Sequence, residues 1–185
     1  GRQMRVISGK YRGMVLAEFK GMDIRPTADR VKGCLFNILS FRIAGARVLD
    51  LFCGSGSLGI ECLSRGAAGV LFNDISKDSI AVLKKNLSRL RGDEYALSNA
   101  GWRECLARQK VPFDIIFIDP PYADDCGIYA LEFIGRHKLL SEGGVAVYER
   151  DRSFEGSVEG LVFTDERKYG RTYLTFFSPA YGDSQ

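Results

Sequence analysis

The chain has 185 residues, 45% of them hydrophobic and 26% charged, with 26 Lys and Arg against 23 Asp and Glu for a net charge of +3. That is enough apolar content for one substantial core, and no apolar run reaches the length of a membrane span; no signal-peptide pattern opens the sequence, so a cytoplasmic location is expected. Cys34, Cys53, Cys62, Cys105 and Cys126 form no C-x-x-C pair and have a single histidine, His137, for company, so no metal site is expected and a reducing compartment fits.

In chain order, two short strands are predicted at Arg5–Ile7 and Met14–Ala17, then a helix from Thr27 to Ser40 with Pro26 at its start. Basic residues crowd this stretch: Arg5, Lys10, Arg12, Arg25, Arg30 and Lys32 outweigh Glu18, Asp23 and Asp29. With Tyr11 among the charges, residues 1–45 read as a basic N-terminal extension suited to phosphates and bases, with Lys10, Arg12, Arg25 and Arg30 as contacts. A merely solvated basic surface is the plainer alternative.

Residues 46–185 read as a second unit in which strands and helices alternate. Val48–Phe52 is a buried strand that runs into Cys53-Gly54-Ser55-Gly56-Ser57-Leu58-Gly59 and a helix to Arg65. Gly54 and Gly56 permit a tight turn with room for a ligand against the backbone, and Gly59 permits close helix packing. Asp74 ends the next strand, Val70–Asn73, roughly 20 residues on, where a carboxylate binds a ribose diol. This pattern serves a nicotinamide dinucleotide or S-adenosylmethionine equally. Asp50 favours the second, because a carboxylate beside the loop repels a pyrophosphate and attracts the cationic amino end of a methionine moiety. Alternatively Asp50 only hydrogen-bonds the loop.

Further elements are a helix Lys77–Leu90, a strand Tyr95–Leu97, a helix Trp102–Arg108, a strand Phe113–Ile118, a helix Gly127–His137 and a strand Val145–Tyr148. Leu161–Thr164 and Tyr173–Phe177 close an antiparallel edge. The expected fold is α/β, a doubly wound and mostly parallel sheet. Ligands bind beyond the carboxyl ends of such strands, which draws Asp50, Asp74, Asn99 and Asp119 to one cleft. Asn99 is either a contact near an adenine or an ordinary turn residue.

Asp119-Pro120-Pro121-Tyr122 follows the buried strand with no spacer. Two prolines hold an extended loop whose carbonyls do not pair in a ladder. Asp119 and the Pro120 carbonyl can then accept the two N–H bonds of an exocyclic amine while Tyr122 stacks on the ring, which points to amino-group chemistry on a nucleobase.

The run Asp50 to Gly56 resembles the cofactor loop of class I S-adenosylmethionine-dependent methyltransferases, and Asp119 to Tyr122 resembles their amino-methylating D/N-P-P-Y/F motif. Met4 to Gly9, Arg25 to Val31, Leu35 to Asn37 and Leu63 to Ala67 resemble the RsmD-type 16S rRNA guanine-N2 methyltransferases, over nearly the whole chain. The resemblance implies a Rossmann-like fold and methyl transfer from S-adenosylmethionine to guanine N2 of 16S ribosomal RNA, free or in a small-subunit assembly intermediate, by a monomer. It implies cofactor contacts at Asp50, Cys53, Gly54, Ser55, Gly56, Asp74 and Asn99. Asp119, Pro120 and Tyr122 become catalytic, and Pro121, Arg25, Thr27, Arg30, Lys10 and Arg12 substrate contacts. Asp74 stands where these enzymes usually carry Glu. Transfer to adenine N6 or a protein amine, and a non-catalytic RNA-binding assembly factor, are the competing readings.

Overall fold

The computed structural model describes residues 3–18, 26–121 and 125–181, with Pro26 and Thr27 described in backbone only. Arg25 and Tyr122, both expected at the site, lie outside these residues, as does the side chain of Thr27.

The helices are α1 (Pro26–Leu39), α2 (Ser57–Ser64), α3 (Lys77–Leu87), α4 (Trp102–Ala107) and α5 (Cys126–Arg136). The strands β1 (Arg47–Asp50), β2 (Gly69–Asn73), β3 (Tyr95–Ser98), β4 (Phe113–Ile118), β5 (Leu140–Arg150), β6 (Leu161–Tyr169) and β7 (Thr172–Pro179) form one sheet in the order β3-β2-β1-β4-β5-β7-β6. β1 to β5 are parallel; β7 runs antiparallel between β5 and β6. This is the doubly wound, mostly parallel sheet that the sequence predicts.

Strand residues alternate between two cores, as a period of two requires. Val48, Ile115, Phe117, Val145 and Val147 pack beneath α1, α2 and α3, and Leu49, Ile116, Ile118, Ala146 and Tyr148 beneath α4 and α5. Gly59 has the expected packing role: a Cβ there would lie 2.2 Å from the Phe72 ring.

The two expected N-terminal strands are reduced to an isolated bridge between Arg5 and Val15. The reason is a tight turn: Gly13 N–H donates to the Val6 carbonyl at 2.9 Å and Met14 N–H to the Tyr11 carbonyl at 3.0 Å, so the pairing closes at Val6. Beyond it the N–H groups of Ile7 and Ser8 donate to the Glu61 carboxylate at 2.9 and 3.0 Å. β5 and β6 are longer than expected; β6 carries Asp165-Glu166-Arg167-Lys168 because it is the edge strand, where charge is tolerated.

Residues before Ala46 share the main core: Met4, Val6, Leu16, Val31, Leu35 and Phe36 are buried in it. Glu61 fastens them. Fully buried on α2, it also pairs with Lys32 Nζ at 3.1 Å and Arg65 Nε at 2.9 Å. Burial pushes the Glu61 carboxyl up, but Lys32, the Ile7 N–H and Arg65 more than offset this and leave it below its ordinary value.

Candidate active site

The direction of strand order reverses between β1 and β4, so a crevice opens beyond their carboxyl ends. Asp50 ends β1, Asp74 follows β2, Asn99 follows β3 and Asp119 follows β4. All four stand on this edge, as expected.

Gly54 and Gly56 adopt left-handed φ of 54° and 90°, which their lack of a Cβ permits. A Cβ on Gly54 would meet nothing within 4 Å, so the loop keeps open space above it. A Cβ on Gly56 would lie 2.3 Å from Leu83, so that glycine serves packing against α3.

Asp50 is 2% exposed and accepts from the Gly59 N–H at 3.1 Å. Burial raises its pKa to about 7; the Gly59 bond opposes the rise and Asp74 adds to it. No cation pairs with it among the described residues. Asp74 accepts from the Gly54 N–H with one oxygen and the Ser76 N–H with the other, both at 2.9 Å, and so ties the glycine loop to the start of α3. The Asn99 amide donates to the Asp74 and Ile75 carbonyls at 2.9 and 3.1 Å, a turn-fixing use that leaves its oxygen without a hydrogen bond among the described residues. Ser57 Oγ and Asn73 Oδ1 are buried beside the loop with no hydrogen-bond partner among the described residues. Cys53 and Cys62 are packing residues: burial pushes both thiols far up, out of the nucleophilic range.

A connection not foreseen runs from the N-terminal segment to this loop. Ser55 Oγ donates to Glu18 at 2.9 Å, and buried Asn86 donates to the carbonyls of Ala17 and Ser55 at 3.1 and 2.9 Å. Burial raises the Glu18 carboxyl, with Ser55 and Lys32 opposing.

A cleft of about 850 Å³ lies against Asp119 and Pro121, walled by α1 and the start of α2 on one side and the β6–β7 hairpin on the other. Glu149, Arg150 and Arg171 also line it. The sequence reading missed these three; the signal for Arg171 was Tyr169-Gly170-Arg171-Thr172, a two-residue hairpin turn that presents a cation. Asp119 is partly buried, and burial, Glu149 and Asp50 together hold its carboxyl well above the usual range.

The structure does not bring Lys10 and Arg12 to this cleft. Their turn bonds Ser64, at the end of α2, and Lys10 pairs with Asp93, before β3. Both anchors lie at the opposite edge of the sheet. Arg12 and Arg30 are exposed.

The family model described as Conserved hypothetical protein 95 matches residues 4–178. YlbH of Bacillus subtilis is 38% identical over 94% of this chain and 98% of its own length. Ribosomal RNA small subunit methyltransferase D of Haemophilus influenzae is 35% identical over 81% of this chain and 80% of its own. The solved structure of yhhF from Escherichia coli superposes with a TM-score of 0.86 at 27% identity, covering 98% of this chain and all of that one.

Proposed function

The chain belongs to the Conserved hypothetical protein 95 family, that of the RsmD-type methyltransferases, and from that premise we propose that it transfers the methyl group of S-adenosylmethionine to the exocyclic N2 of a guanine in 16S ribosomal RNA. The observation that carries this is the partly buried Asp119 carboxyl, set across the crevice from the glycine loop in a cleft wide enough for a splayed base.

The residues present fit the cofactor. Open space over Gly54, unspent polar atoms on Ser57 and Asn73, and an unpaired buried carboxyl at Asp50 suit a ligand with polar groups and positive charge. Asp50 and the loop from Cys53 to Gly56 would hold its methionine end, and Asp74 and Asn99 its nucleoside end. When bound it supplies an electrophilic methyl group.

Asp119 and the Pro120 carbonyl accept the two amine N–H bonds, and Tyr122 stacks on the base. Guanine's amine is a weak nucleophile because its lone pair spreads into the ring; acceptors placed on its protons favour the rehybridised nitrogen, a stronger interaction in the transition state than before it. The N2 proton, made acidic as the new bond forms, passes to Asp119. Placement in the cleft supplies the rest through proximity. Phosphate contacts fall to Arg150 and Arg171 on the cleft wall and to Arg25 and Arg30, with Lys10 and Arg12 at most on a distant part of the RNA.

Ribosomal RNA from cells lacking the protein should lose N2-methylguanosine at one small-subunit position, read by nucleoside mass spectrometry and restored by the intact chain. An unchanged level, or loss of N6-methyladenosine instead, would replace this reading.

Cofactor affinity should depend on pH through Asp50. Its carboxylate form attracts the cationic ligand, so affinity should fall about tenfold for each unit below 7 and be flat above it. Calorimetry across pH 5 to 9 checks this, and Asp50→Asn should remove the slope. For the ligand-free chain the sign is opposite. The folded pKa lies above the unfolded one, so this contribution to stability is present at low pH and lost as pH rises through about 7.

A further inference from the structure

Ile118 on β4 lies opposite Tyr148 on β5, so the next pair along is Asp119 and Glu149. Ile118 and Tyr148 belong to the core under α4 and α5. Side-chain alternation therefore turns Asp119 and Glu149 to the other face, where both line the cleft. Buried beside Glu149, the Asp119 carboxyl is held well above its usual range, so it keeps a proton that it can share with Glu149.

A bond between two carboxyls needs one proton, held between them. It uses one oxygen of each group and leaves each a second oxygen that can only accept. The pair thus offers two acceptors side by side. Guanine presents a matching edge, the N1–H beside the N2 amine. Adenine presents a bare N1 lone pair beside its N6 amine, and meeting it would require turning the shared proton outward and breaking the bond between the carboxyls.

We propose that Glu149 accepts the N1–H of the target guanine while Asp119 holds its N2 amine, which makes Glu149 the residue that distinguishes guanine from adenine. This rests on guanine being the acceptor base. Two donors of one base edge meeting two fixed acceptors is the geometry of bidentate base readout, and a base lacking one donor leaves an acceptor facing a lone pair.

The test uses RNA with 2-aminopurine in place of the target guanine, which keeps the 2-amine and lacks the N1–H. The intact protein should methylate the guanine RNA with a kcat/KM roughly tenfold to a hundredfold higher. Glu149→Gln can turn its amide N–H toward the bare ring nitrogen, so its preference should shrink to about one. Thermal denaturation of both proteins shows that folding is retained. Equal rates of the intact protein on the two RNAs, or a preference that Glu149→Gln leaves unchanged, overturns the assignment of Glu149 alone. Transfer to adenine with none to guanine overturns the guanine reading, and this inference with it.

Discussion

Asp119→Ala should lower methyl transfer by about two to four powers of ten, the range for removing a group that accepts a proton or stabilises charge in the transition state. Cofactor affinity should be nearly unchanged, because the glycine loop and Asp74 bond one another and not Asp119. Single-turnover rates with saturating cofactor separate the two. Thermal stability at neutral pH should hold or rise: the Asp119 carboxyl is pushed up by burial and by two neighbouring acids, Glu149 and Asp50. With the folded pKa above the unfolded one, this group's contribution is present at low pH and lost as pH rises, so the variant should gain most on the alkaline side. Asp119→Asn divides the two roles. If the amide keeps most of the rate, Asp119 orients the amine; if the rate collapses in a folded protein, it takes the proton. A variant Asp119→Ala as active as the parent removes the residue from the mechanism.

Glu61→Ala should cost about 3–5 kcal/mol of stability, the range for breaking a buried ion pair by deleting one partner. The loss leaves Lys32, 3% exposed, with the Arg5 carbonyl at 3.0 Å as its one hydrogen-bond partner among the described residues, and leaves the N–H groups of Ile7 and Ser8 without their acceptor. Urea denaturation should show a lower midpoint with an unchanged slope. Because the folded Glu61 carboxyl sits below its ordinary value, its contribution is present above the usual carboxylate range and lost as pH falls through the folded value. The variant should therefore lose the parent's acid-side stability change. A midpoint unchanged in Glu61→Ala would show that the segment from Met4 to Leu16 holds without Glu61, through its apolar packing and its bonds to Ser64 and Asp93. Since α1 walls the cleft, RNA affinity should weaken along with stability.

Much of the sheet and half of the site could be read without coordinates, for a definite reason. Asp50, Asp74 and Asp119 each end an apolar strand, and in parallel sheets every such end points to one edge. The glycine spacing and the double proline then supply backbone geometry directly. Glu149 was not legible: it opens Glu149-Arg150-Asp151-Arg152, which reads as a solvated charge run, and only the register of β4 with β5 sets it beside Asp119. Glu61 was hidden similarly, since a helical glutamate usually faces water and its partners come from residues 7, 8, 32 and 65. Net charge does not show which cations already have partners: Lys10, counted in the basic arm, pairs with Asp93 at the far edge of the sheet.

The attachment of the amino-terminal segment also sets an order of events during synthesis. Ser8 waits for Glu61, Ala17 for Asn86 and Tyr11 for Asp93, partners 53, 69 and 82 residues further along. At about 5–20 residues per second, this segment stays undocked for on the order of several seconds after it is translated. Its apolar side chains Met4, Val6 and Leu16 remain open to water through that interval. The charges interspersed with them, Arg5, Lys10 and Arg12, then keep a nascent chain apart from its neighbours before they take any place in the finished molecule.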